Sequence, residues 1–109
     1  MPKSNWTNTI ENGPQPGIPL PPTISSITWN GLTGTMKVTM PINDTDQGPL
    51  TAPLVDIPVQ FCKKGEAIEN GAVVQFPGSY PAGSEQNVAV TVPALGMYEW
   101  RVQVDNTVV

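Results

Sequence analysis

From Thr23 onward apolar residues recur at every second position, and this period of two confines the chain to strands more firmly than any other feature. Thr35-Met36-Lys37-Val38-Thr39-Met40 sets Met36, Val38 and Met40 on one face and Thr35, Lys37 and Thr39 on the other. Val55, Ile57, Val59 and Phe61 alternate with Asp56, Pro58 and Gln60 before a turn at Lys63-Lys64-Gly65. Pro58 removes one ladder donor, which predicts a strand that is bulged or near a sheet edge. Val88, Val90 and Val92 form a third run stopped by Pro93, and Tyr98, Trp100, Val102 and Val104 form the most regular one. Shorter candidates are Ile24 to Trp29, where Ser25-Ser26 interrupts the alternation, and Ala72 to Phe76. No stretch has a helical period. Six short strands separated by Gly, Pro, Asn and Asp turns read as an antiparallel β-sandwich. The inward residues, with Trp29 and Leu95, supply its core; at roughly 1.5 to 3 kcal/mol for each full burial they offset the chain entropy of a small domain.

Residues 1–22 are different. They hold six of the 13 prolines, Pro2, Pro14, Pro16, Pro19, Pro21 and Pro22, and no periodic apolar pattern. The run Pro14 to Pro22 favours an extended, polyproline-like arm, readable as a tail, a linker or a tether. The organisation expected is therefore an arm over 1–22 and a sandwich over 23–109. An arm without an apolar face becomes ordered only against something else, and Trp6 is its strongest anchor, since Trp is enriched at interface hot spots. Ile10, Ile18 and Leu20 are the other apolar residues nominated for partner contact.

Composition removes whole function classes. There is no His and a single Cys, which excludes His-dependent triads, His metal sites, an intrachain disulfide and a Cys-cluster zinc site. The net charge of -4, with five Lys or Arg scattered along the chain, argues against a nucleic-acid partner. No apolar run is long enough for a membrane span, and the start Met1-Pro2-Lys3-Ser4-Asn5-Trp6 lacks the apolar region of a secretory signal. Met1 is then either a native start or an addition to a fragment of a longer secreted chain. A lone Cys62 fits a reducing compartment slightly better than an oxidising one.

The stretch Leu95-Gly96-Met97-Tyr98-Glu99-Trp100-Arg101-Val102-Gln103-Val104-Asp105-Asn106 resembles the F strand of fibronectin type III and related bacterial immunoglobulin-like domains, where a Leu and a Gly precede a corner Tyr. Pro21-Pro22-Thr23 and Lys37-Val38-Thr39-Met40-Pro41 resemble that family's A-strand entry and B strand. Met40 stands where the family usually carries Trp, and Leu95 lies closer to Tyr98 than usual. The resemblance implies an immunoglobulin-like sandwich and no particular activity. It also implies a closing G strand for which only Asn106, Thr107, Val108 and Val109 remain, so the edge of the F strand is expected to be open. Such an edge is covered by the arm, by a partner chain or by residues of a longer protein.

The remaining candidates have plain readings. Asp44 and Asp46 could help hold calcium, but the ligand order of a calcium loop is missing and the segment reads as an Asp/Asn-Gly turn. Glu99 and Arg101 share a strand face and can pair with each other or with a neighbouring strand. Asn5-Trp6-Thr7 and Asn43-Asp44-Thr45 match the glycosylation pattern by chance where no signal precedes them. Cys62 falls opposite the core set as a partly exposed thiol without a base. The function expected is non-enzymatic, without cofactor or metal. It is a structural or interaction module bound to protein subunits of a larger assembly, in its most specific form a virion component such as a phage capsid decoration or tail protein. The alternative is a binding or spacer module excised from a bacterial surface or secreted protein.

Overall fold

The computed structural model describes residues 2–9 and 17–106. Seven strands follow in order: β1 (Thr23–Asn30), β2 (Thr33–Thr39), β3 (Leu54–Lys63), β4 (Ala72–Tyr80), β5 (Glu85–Thr91), β6 (Tyr98–Val102) and β7 (Asp105–Asn106). One 3-10 turn at Ile68–Asn70 is the only helical element among the described residues. The strands form two antiparallel sheets, β1-β2-β5 and β4-β3-β6, with β7 also paired to β3. The chain is an all-β sandwich whose core lies between the two sheets.

Alternation produces this core directly in the central strands. Met36, Val38 and Met40 of β2 and its exit are almost completely buried, as are Val88, Val90 and Val92 along β5. In β3 the expected phase fails at its start. Leu54 is fully buried and Val55 only half-buried, because a register shift between Leu54 and Asp56 inserts one extra residue in β3 relative to β7 before Ile57. A second bulge lies between Ile24 and Ser26, at the serines that interrupt the alternation of β1.

Of the two alternatives that Pro58 predicts, the bulge is present in β3, between Leu54 and Asp56, and the edge position is not. Pro58 sits in β3, the strand flanked by β4 on one side and by β6 and β7 on the other. The Pro58 carbonyl accepts from the Gln103 N–H at 3.0 Å. A strand residue turns both backbone polar groups to the same side, so the absent Pro58 donor faces Gln103, where β6 gives way to β7. The register nevertheless runs on, from Val59 opposite Val102 to Asp56 opposite Asp105. Thus β6 and β7 follow one register over Tyr98–Asp105, interrupted where the proline withholds its donor, and the register shifts only at Asn106.

Two residues placed in the core by sequence lie elsewhere. Leu95 is 86% exposed in the loop between β5 and β6, and Trp29 is 45% exposed. The Trp29 ring covers Gly34, its cross-strand partner, so closely that a Cβ there would lie about 3.0 Å from the indole. From that position it reaches Trp100, with ring centroids 6.1 Å apart, and closes one flank of the sandwich instead of filling its centre.

Candidate functional site: an open sheet edge and an exposed arm

The two sheets leave four edge strands, β1, β5, β4 and β6, and these are finished differently. The inward valines of edge strand β5 are only 3 to 4% exposed. The inward residues of β6, Tyr98, Trp100 and Val102, remain half-buried, as do Ile24 and Ile27 of β1. The flank between β1 and β6 is therefore the less covered one, and among the described residues no strand pairs with the outer edge of β6. Among the described residues no backbone hydrogen bond reaches that edge.

Aromatic rings occupy the upper part of this flank. Trp100 stacks on Phe61 at 5.0 Å between centroids, and Tyr98 meets Phe61 at 6.0 Å in an edge-on arrangement. The Tyr98 hydroxyl donates to the Ala94 carbonyl at 2.7 Å, fastening the loop that leads into β6. Beside the rings, an apolar groove of about 300 Å³ is lined by Trp29, Leu32, Val92, Leu95 and Met97, and Met97 is 72% exposed.

The nominated arm residues fall into two groups. Trp6 is 98% exposed, and all of residues 2–9 are exposed. Ile10 lies outside the described residues. Ile18 and Leu20 are brought together on the body: the Ile18 carbonyl accepts from Thr45 N–H at 2.8 Å, and Leu20 N–H donates to the Asn43 carbonyl at 3.1 Å. The Ile18 side chain stays exposed and that of Leu20 is half-buried. The Asn106 amide also donates to the Gly17 carbonyl at 2.6 Å. A Cβ on Gly17 would overlap the Asp44 carboxylate. Gly17→Ala is therefore expected to lift residues 17–20 from the body, at about 1 kcal/mol for each hydrogen bond lost. Faster amide exchange at Leu20 and Thr45 than in the unaltered chain would register this.

The other candidates resolve locally. Asp44 Oδ1 accepts from the N–H groups of Asp46 and Gly48, both at 2.9 Å, so this carboxylate closes its own turn. Glu99 and Arg101 bond separately: Arg101 Nε donates to Gln60 Oε1 at 2.8 Å, and Glu99 accepts from Gly65 N–H at 3.5 Å. Lys37 and Glu85 form an exposed ion pair at 3.6 Å that sequence reading missed, because the two meet only through the β2–β5 register. Among the described residues no three His, Cys, Asp or Glu side chains gather as a metal site.

Cys62 is buried rather than partly exposed, because the turn after β3 folds over it and its thiol points at the Glu66 carbonyl, 3.5 Å away. Burial pushes the thiol above its ordinary value, and Glu99, Glu66 and Glu69 push it further. A pKa raised in the folded state contributes stability that is complete below the unfolded thiol value of about 8.5 and is lost as pH rises through the folded value. Urea unfolding midpoints should accordingly fall above about pH 9 more steeply for the unaltered chain than for Cys62→Ala, and a thiol reagent should label the native protein far more slowly than the unfolded one.

Comparison of the chain with protein-family models, curated proteins and solved structures gives no match.

Proposed function

We propose that the protein is a non-enzymatic structural and interaction module that joins a larger protein assembly through its N-terminal arm. The observation that carries this reading is the exposure of the whole segment 2–9, with Trp6 at its centre, beside a body whose β6 edge, next to the aromatic flank, has no partner strand among the described residues. A solvent-exposed Trp in a segment without a core has little to gain from its own chain and much from a partner's pocket. The most specific form is a virion component, a phage capsid decoration or tail protein, for which a small sandwich with an extended arm is suited.

A second reading is a fibronectin type III-like spacer or binding module from a bacterial surface or secreted protein. The hydrogen bond from Tyr98 to Ala94 supports it, since a tyrosine bonded back to the preceding corner is a hallmark of immunoglobulin-like sandwiches.

The docking of Gly17 to Leu20 on the body defines the test: the arm is cut after residue 9, leaving 17–20 in place. Chains with and without residues 1–9 are expressed in the source host, and purified particles are probed for each by mass spectrometry. The full chain is expected in the particles and the truncated chain depleted from them at equal expression. Absence of the full chain from particles, with recovery at the cell surface or in the medium, would favour the spacer reading instead.

A further inference from the structure

We propose that the open edge of β6 and β7 is completed by residues 3–9 of a second copy of this chain, added as a strand with Trp6 turned toward the aromatic flank. The inference deepens the interaction-module reading by naming the partner.

The acceptor is defined by three observations. The edge of β6 and β7 is unpaired among the described residues, and over Tyr98–Asp105 it keeps one register against β3, which shifts only at Asn106. Its inward side chains are half-buried where those of edge strand β5 are covered. The groove at Trp29, Leu95 and Met97 lies immediately before Tyr98, so a strand laid along the edge brings its side chains to an apolar recess.

The donor is selected by its chemistry. Strand addition requires a free N–H at alternate positions, which excludes the proline-rich part of the arm from Pro14 to Pro22. The segment Lys3-Ser4-Asn5-Trp6-Thr7-Asn8-Thr9 contains neither Pro nor Gly. At about 3.3 Å per residue its seven residues extend roughly 23 Å, within the length of the in-register run Tyr98–Asp105. It is exposed throughout, so adding it to a sheet uncovers none of its own buried side chains. In an extended strand Ser4, Trp6 and Asn8 fall on one side, so the single large apolar residue can face the core flank while Lys3, Asn5, Thr7 and Thr9 face solvent. Lys3 is the only charged side chain of the segment, whereas the body over 17–106 carries eight carboxylates against four cations. The donor and the body are thus complementary in charge, as two bodies alone are not.

The test is sedimentation of the full chain across a wide concentration range, beside a chain lacking residues 1–9, Trp6→Ala, and a double variant Asn5→Pro with Asn8→Pro. The two prolines remove one N–H of each parity, so one of them disables whichever face meets the edge. The full chain is expected to form dimers or longer arm-linked oligomers, and all three altered chains to need at least a tenfold higher concentration to do so, with unchanged thermal unfolding of the monomer. A synthetic peptide of residues 2–10 should bind the truncated chain and compete with oligomer formation by the full one. A full chain that stays monomeric at every concentration, or a truncated chain that associates equally well, would overturn the inference. If the monomeric full chain still entered particles through its arm, the interaction-module reading would stand and only the second-copy partner would fall.

Discussion

Replacing Leu54 by alanine is expected to destabilise the sandwich by about 2 to 5 kcal/mol, while Val55→Ala costs about 1 kcal/mol or less. The contrast follows from the bulge that opens β3. An unbroken alternation through Ile57, Val59 and Phe61 puts Val55 in the core, yet the residue that β3 carries in excess of β7 between Leu54 and Asp56 turns Leu54 inward, where it is fully buried, and leaves Val55 half-buried. Leu54 also pairs with Tyr80 of β4 and Asn106 of β7, so its truncation opens a cavity where three strands meet. Chemical unfolding of both variants measures the difference. Equal losses, or a larger loss for Val55→Ala, would mean that β3 runs without the bulge.

Trp100→Ala is expected to cost about 3 kcal/mol, at the lower end of the range for removing a large aromatic, because the indole is only half-buried. Its contribution comes from the stack on Phe61 and from the contacts with Tyr98 and Trp29 that hold the flank together. The three tryptophans then rank in a definite order. Trp29→Ala should cost less than Trp100→Ala, since Trp29 covers Gly34 at the margin, and Trp6→Ala should leave the unfolding free energy unchanged within about 0.5 kcal/mol. A Trp100→Ala chain as stable as the parent would place that ring outside the packed flank.

Much of the fold was legible in the sequence, and particular residues explain where reading stopped. Met36, Val38, Val88 and Val90 could be assigned to the core because β2 and β5 are unbroken strands with one polar face, where period alone decides direction. Val55 could not, because a bulge is set by the partner strands and leaves no mark in the local pattern. Pro58 predicts a strand that is bulged or near an edge; β3 is bulged but central, because the cost of the proline is confined to one missing bond opposite Gln103. Leu95 was assigned inward by hydrophobicity, yet the loop it belongs to is held by Tyr98 through the Ala94 carbonyl and leaves its side chain outside.

The candidate site was legible in one half. A tryptophan in a segment with no apolar period has no core position to occupy, and Trp6 is exposed. The docking of Ile18 and Leu20 was hidden, because it depends on backbone groups of Asn43 and Thr45, more than twenty residues away, and on a glycine small enough to lie against Asp44. The groove beside Tyr98 was hidden for the same reason, since Trp29 and Met97 belong to different sheets and meet only where the sheets pack on each other.

Residue-resolved amide exchange along β6 tests the central claim most directly. Gln103 N–H is bonded to Pro58, so by antiparallel alternation Arg101 and Gln103 direct their amides into the β3 ladder, and Trp100 and Val102 direct theirs to the open edge. In the chain lacking residues 1–9, Arg101 and Gln103 should be protected while Trp100 and Val102 exchange rapidly. In the full chain at concentrations where it associates, Trp100 and Val102 should slow by at least tenfold and Arg101 and Gln103 should keep their protection. Rapid exchange of Trp100 and Val102 in the associated full chain, or slow exchange in the truncated one, would contradict strand addition by the arm.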